Sequence, residues 1–255
     1  MSEGTFRPRP EGAPLWQMLR AQTAMETRLL LLNGEQLLLT IVIPTLVLVL
    51  FSAVKVVDVG SGPRVDHVLP GVLAIAVMST AFTGQAIATG FERRYGVLKR
   101  LALTPLPRWG FIAAKTASVV LVEVVQVVLL ALVGLALGWT PRGSILDVLV
   151  LLVLGTAAFS GLGLLMAGTL RAEATLAGAN LVFLLLLVGG GVVVPLDKFP
   201  APAAAVLRLI PAGALAGGLR EVIQRGVALP AEPALVLAAW ALVAIVAAGA
   251  TFRWE

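Results

Sequence analysis

The chain has 255 residues and a net charge of +5, with 59% apolar and only 13% charged residues. The charged fraction is about half that of a water-soluble domain, so we expect an all-α integral membrane protein rather than a soluble one. Basic residues lie mainly between apolar runs and form no tract with interleaved aromatics, which argues against nucleic-acid binding. Cysteine is absent and His67 is the only histidine, which excludes metal sites built from those ligands, and we expect no metal site.

Residues 1–36 form the predicted cytoplasmic N-terminal segment. Between Leu15 and Leu32, apolar residues recur at helical spacing, with Trp16 near the start and basic residues mostly on the other face. This pattern predicts an amphipathic helix that lies in the inner membrane interface. A plain tether to the membrane surface is the alternative. Charges throughout the segment argue against a cleaved signal peptide, so we expect it to be retained.

Residues 37–255 form the predicted transmembrane domain. A bilayer core of about 30 Å needs about 20 apolar residues in a helix. Six runs meet this requirement: 37–57, 68–91, 111–137, 148–170, 176–195 and 233–252. Six spans place both termini on one side of the membrane. We expect that side to be the cytoplasm, because the predicted inner segments hold ten Lys and Arg residues and the outer segments seven.

The loop at residues 92–110, between the second and third spans, is the most basic part of the chain. Its five cations face a single acid, Glu92. The excess of positive charge predicts that this loop is cytoplasmic. Its charge density also predicts that it contacts another molecule.

Polar and small residues within the spans are candidates for a substrate pathway. They are Thr83, Gln85, Glu123, Gln126, Asn180, Gly189 and Gly190. Glu123 lies about 18 Å into the third span at 1.5 Å per residue. A carboxyl at that depth must face protein or water, be neutralised or be paired. Both a substrate-facing role and a structural role remain open for it, as do pathway lining and helix packing for the second and fifth spans.

Residues 196–232 separate the fifth and sixth spans and are broken by prolines at positions 200, 202 and 211. In the second half, Leu215, Leu219, Val222 and Ile223 share one helix face. An apolar segment interrupted in this way cannot cross a bilayer as one helix. We therefore expect an external re-entrant or interfacial helical hairpin.

The sequence contains no constellation of nucleophile, base and orienting group, so we expect no catalytic residues and no enzymatic activity in this chain. The pair Lys115-Thr116 has the residue types that end a phosphate-binding loop. However, Ala114 and Trp109 stand where that loop requires glycine. We therefore do not expect this chain to bind ATP by that route.

The pattern Glu92-Arg-Arg-x-Gly-x-x-Lys-Arg-Leu-x-x-Thr-Pro-x-x-x-Trp109 resembles the loop after the second span in membrane subunits of type 2 ABC exporters. The proline-rich segment after the fifth span is similar to that family's external hairpin, and the N-terminal helix to its connecting helix. The resemblance implies that the loop acts as a coupling helix on an ATPase subunit. The implied coupling residues are Glu92, Arg93, Arg94, Gly96, Lys99, Arg100, Thr104, Pro105 and Arg108.

The same resemblance implies a cell-membrane permease that works with a second copy or a related permease and with separate ATPase subunits. ATP and magnesium would be bound by those ATPase subunits, and this chain would hold no cofactor. The few aromatic residues in the spans favour export of an amphiphilic drug-like or lipid-like substrate out of the cytoplasm or inner leaflet over a polysaccharide. The alternatives are an ATP-independent secondary transporter or channel, and a membrane scaffold or assembly factor.

Overall fold

A computed structural model describes residues 13–34, 38–53 and 63–251 of the chain. Within these ranges the chain is helical and contains no strand. The amphipathic N-terminal segment forms helix α1 (Leu15–Leu32), as the sequence predicts. The remainder of the predicted N-terminal segment and the two ends of the first predicted span lie partly outside the described residues, as does residue 252 of the last span.

The other helices follow in chain order. A π-helical segment (Leu38–Val42) leads into α2 (Ile43–Ala53), and α3 (Arg64–Arg94) contains a second π-helical segment (Met78–Gly84). Next come α4 (Val97–Leu101), α5 (Arg108–Ala136), α6 (Ile145–Thr169) and α7 (Ala172–Gly189). A 3₁₀ turn (Leu196–Lys198), α8 (Ala201–Arg208), α9 (Pro211–Arg225) and α10 (Ala231–Thr251) complete the described chain.

Among the described residues, five helices are long and apolar enough to cross a membrane: α3, α5, α6, α7 and α10. They correspond to the second to sixth predicted spans. The first predicted span is described only over residues 38–53, where the apolar helix Thr40–Ala53 is shorter than a full crossing. The all-α membrane architecture is therefore confirmed.

The long helices begin and end one to six residues away from the predicted span boundaries, and two of these differences are informative. Helix α3 begins at Arg64 and not at residue 68, so His67 lies in its first turn. Helix α7 ends at Gly189 and not at residue 195. The chain leaves the helix there because Gly191 adopts a left-handed backbone conformation, with φ of 69°, which glycine tolerates better than other residues.

Helices α8 and α9 form the predicted bent element between the last two spans. They meet at 96°, because Pro211 begins α9 with a fixed backbone angle and no N–H to continue α8. Leu215, Leu219, Val222 and Ile223 are all buried, as the helical spacing predicts. The bend means that the pair does not form one straight crossing.

Side-chain contacts identify the two ends of the bundle. Arg94, at the end of α3, forms an ion pair with Glu173 at the start of α7. The loops after the second and fourth predicted spans therefore lie at one end, which we name the α4 end. At the opposite end, named the α9 end, Arg142 lies 3.8 Å from Asp66 of α3 and donates to the carbonyl of Gln224 in α9, at 3.3 Å.

Candidate functional site

A buried lysine joins three helices near the α4 end. Lys115 of α5 places its Nζ atom 2.7 Å from a carboxylate oxygen of Glu26 in α1 and 2.9 Å from both carboxylate oxygens of Glu92 in α3. The side chains of Lys115, Glu26 and Glu92 are 5%, 7% and 22% exposed. Removing Lys115 leaves two buried carboxylates without their cation, which is costly. We name this cluster the charge triad.

Two further contacts hold the triad in place. Gln22 donates a hydrogen bond of 2.7 Å to the second carboxylate oxygen of Glu26, and the Lys115 ammonium lies 5.3 Å from the centre of the Phe111 ring. Helix α1 can approach α5 closely because position 110 is glycine. A Cβ atom at Gly110 would lie 3.3 Å from a methyl group of Leu19 in α1. The triad therefore ties α1 to the bundle through side-chain charges and close packing together.

A cavity of about 320 Å³ adjoins the triad between α1, α3 and α5. Its lining includes all three triad residues together with Gln85 and Thr89 of α3. The Gln85 Nε2 and Thr89 Oγ1 atoms are buried and have no hydrogen-bond partner among the described residues. Buried polar atoms normally have hydrogen-bond partners. The two unpartnered atoms therefore distinguish this cavity from ordinary packing between helices.

Helix α4 is a short basic element mounted on a small core. Leu98 is fully buried and packs in a cluster with Phe111, Ile112, Leu164 and Ala248. Leu101 packs against the same cluster, so Val97, Lys99 and Arg100 are the exposed positions of α4. The exposed members of the predicted coupling set are Arg94, Lys99, Arg100, Thr104, Pro105 and Arg108.

The predicted coupling loop 92–110 is not a single helix in the structure. Glu92, Arg93 and Arg94 belong to the end of α3, and Gly96 makes the turn into α4 with φ of 72°. Glu92 pairs with Lys115 in the triad, and Arg93 donates to the carbonyl of Leu170. These three side chains therefore have partners inside the permease. An ATPase contact remains a prediction for the whole set.

The polar candidates from the second and third predicted spans form hydrogen bonds inside the bundle. Their partners are side chains of α6 and α3 and the backbone of Thr40. Glu123 accepts a hydrogen bond from Thr156, and Gln85 accepts one of 2.7 Å from Ser160. Gln126 accepts a long bond of 3.4 Å from Thr80 and also donates to the carbonyl of Thr40. Gln85, Glu123 and Gln126 are all at most 5% exposed. Their geometry fits links between helices, while a pathway role for them stays a prediction.

The remaining pathway candidates lie in different parts of the bundle, and their surroundings differ. Thr83 is half-buried, and its hydroxyl has no partner among the described residues. Asn180 is exposed and donates to the carbonyl of Leu176 on its own helix, at 2.9 Å. A Cβ atom would find open space at Gly189, whereas at Gly190 it would lie 2.7 Å from the Cβ of Ala212. The structure thus does not gather these residues at one site.

The α9 end is held by a different kind of contact. The Arg220 guanidinium of α9 donates to the carbonyl oxygens of Gly191 and Val192, where the chain leaves α7. Gly71 of α3 lies against the same segment, since a Cβ atom there would be 2.7 Å from the carbonyl oxygen of Val192. A larger cavity, of about 820 Å³, lies beside this segment and is lined by residues of α2, α3 and α9.

Sequence reasoning did not identify the triad, because its members lie far apart in the chain. Lys115 counts in the sequence as one more basic residue at a span end. Two features of the sequence could have pointed to the triad. Lys115 lies within an otherwise apolar run, and the acid Glu26 lies at helical spacing from Leu19 and Leu30. Neither signal names its partner, which only the packing of α1 on α5 supplies.

Comparison with known proteins gives two matches. The sequence model of a family described as ABC-2 family transporter protein matches residues 61–251. A protein of Bacillus subtilis (strain 168), which bears the name "Putative transport permease YvfS", is 24% identical over 219 residues. That alignment covers 82% of this chain and 86% of the relative.

Proposed function

This chain belongs to the ABC-2 transporter family, and we propose that it is the permease subunit of an ATP-driven exporter whose ATPase docks at the α4 end. Membership makes it a multi-pass membrane transport permease. The finer assignment depends chiefly on one observation. Helix α4 presents Lys99 and Arg100 outwards while Leu98 fixes it rigidly to α5, α6 and α10. A rigidly mounted basic protrusion can transmit a push from a partner into the bundle.

The charge triad supports this mechanism by linking the surroundings of α4 to α1. When ATP closes the partner ATPase subunits, the α4 end moves with them, and the triad carries that movement to α1 and α5. ATP can drive the change because it binds the closed ATPase more tightly than the open one. In this arrangement the α4 end, and with it both termini, faces the cytoplasm of a cell-membrane protein. The α8–α9 hairpin then lies outside.

A second permease copy or a related permease has room to pack against the bundle. Most of α7 and α10 is not buried within the described chain, and their outward faces are apolar. Lipid contacts the parts of these faces that the partner does not cover. The cargo consistent with the low aromatic content is an amphiphilic drug-like or lipid-like molecule, and export is the direction that the resemblance to type 2 exporters implies.

The docking proposal is tested by charge reversal at α4. The double variant Lys99→Glu with Arg100→Glu should abolish copurification of the tagged permease with its co-expressed ATPase and stop ATP-dependent export. These residues are better choices than Arg93 and Arg94, whose side chains have partners within the permease. The matched control reverses the exposed Arg208 and Arg225 at the other end and should keep the ATPase. Retention of the ATPase by the α4 variant, with export intact, contradicts the proposal.

A further inference from the structure

The cavity beside the charge triad has features that helix packing alone does not explain. Gln85 is 4% exposed and Thr89 fully buried, yet Gln85 Nε2 and Thr89 Oγ1 have no hydrogen-bond partner among the described residues. Leaving a buried donor or acceptor unpaired costs free energy. Both residues line the cavity, so a ligand there can supply the missing partners.

The charge of the cavity selects the sign of such a ligand. Its charged lining residues are Glu26, Glu92 and Lys115, which together carry one net negative charge when all three are ionised. The two arginines that follow Glu92 are not part of the lining. Arg93 donates to the carbonyl of Leu170, and Arg94 pairs with Glu173. In partly buried surroundings one unbalanced charge attracts a counter-ion more strongly than in water. A ligand with one positive charge therefore balances the cavity.

Most of the remaining lining is apolar, with Asn33 and Ser118 as polar exceptions. Leu29 and Leu30 of α1 and Val119 of α5 all line the cavity. Phe91 and Tyr95 stack with ring centres 6.1 Å apart and belong to the same lining. Such a surface suits a hydrocarbon chain and an aromatic contact to a cation.

We propose that this cavity binds a single-chain amphiphile whose head group carries an ammonium and a neighbouring hydroxyl or carbonyl oxygen. The ammonium lies between Glu92 and the hydroxyl of Thr89, while Gln85 Nε2 donates to the neighbouring oxygen. The chain runs along Leu29 and Leu30 toward the cavity opening. A volume of about 320 Å³ accommodates the head group and the first part of the chain. Identifying this ligand as cargo rests on the proposed export function, but its binding does not.

Binding is measured on the full-length permease in lipid nanodiscs, without ATPase, against empty nanodiscs. The probes are a twelve-carbon vicinal amino alcohol and the twelve-carbon vicinal diol, which has the same shape without the charge. We expect the amino alcohol to bind about tenfold more tightly, since hydrogen bonds to charged groups are stronger than neutral ones. Equal binding of the two probes overturns the proposal.

The position of the site is tested by replacing one hydroxyl with a methyl group. Thr89→Val keeps the volume, removes the unpartnered hydroxyl and should weaken amino alcohol binding about fivefold without lowering the melting temperature. Thr175→Val is the matched control, because Thr175 is also fully buried but lies on α7 and bonds to the carbonyl of Arg171, outside the cavity. Unchanged binding by Thr89→Val overturns the proposal.

The role of the charge is tested by Glu26→Gln, which neutralises the cavity at constant size. The preference for the amino alcohol over the diol should then disappear. A preference that persists at its full size contradicts the assignment of charge as the selecting feature.

The export function and the binding site can fail separately. If the nanodisc experiment detects no amino alcohol binding, the site is wrong, while ATPase copurification still decides the docking proposal. If the amino alcohol binds but vesicles containing the permease and ATPase do not transport it, the site stands and its identification as a cargo site is wrong.

Discussion

At the α4 end the helices are joined by a lysine between two carboxylates, whereas at the α9 end they are joined by a guanidinium on backbone carbonyls and by glycines in close contact. Lys115 reaches Glu26 and Glu92 through flexible side chains, so the helices can shift while the ion pairs persist or exchange. Gly71 allows no such shift, because the Val192 carbonyl already lies against it. We therefore expect movement at the α4 end and rigidity at the α9 end.

The largest effect should follow removal of the triad's cation. Lys115→Met leaves two buried carboxylates facing each other, and loss of one partner from a buried ion pair typically costs about 3–5 kcal/mol. We expect a corresponding fall in the free energy of unfolding, measured by denaturant titration in detergent micelles. Adding Glu26→Gln and Glu92→Gln to the variant should recover most of the loss. If Lys115→Met alone is as stable as the unmodified chain, the triad does not hold α1 in place.

The next largest effect should occur at the α9 end. Gly71→Ala places a Cβ atom 2.7 Å from the Val192 carbonyl oxygen, which is backbone and cannot move aside alone. Overpacking of this kind costs about 1–3 kcal/mol, and thermal unfolding of the purified permease should show it. Gly217→Ala in α9 is the control, because a Cβ atom there meets nothing within 4 Å. Equal stability of the two variants would mean that the α9 end is not tightly packed.

The smallest effect should come from the exposed ion pair at the α4 end. The side chains of Arg94 and Glu173 are 52% and 63% exposed, and exposed pairs contribute at most about 1 kcal/mol. Arg94→Gln should therefore change the free energy of unfolding only slightly, and less still at high salt. A loss as large as that expected for Lys115→Met would show that surface contacts, rather than the triad, stabilise the α4 end.

Much of the fold follows from local patterns in the chain. The length of each apolar run sets the number of spans, and the 3.6-residue period sets the buried face of α9, where Leu215 and Leu219 are fully buried. Pro211 and the glycines after residue 188 mark where helices begin and end. These features depend on residues a few positions apart, so a single sequence suffices to predict them.

The partners of charged and polar side chains depend on contacts between distant segments. Glu26 and Lys115 are 89 positions apart, and the sequence contains equally plausible partners for each. Glu92 has the sequence pattern of a surface loop residue, yet its carboxylate turns inward because α3 continues to Arg94 and brings it beside α5. Composition and periodicity thus determine that this chain is a helical membrane protein. The packing of α1, α3 and α5 determines which charges are buried together, because that choice depends on the shape of surfaces that meet only in the folded chain.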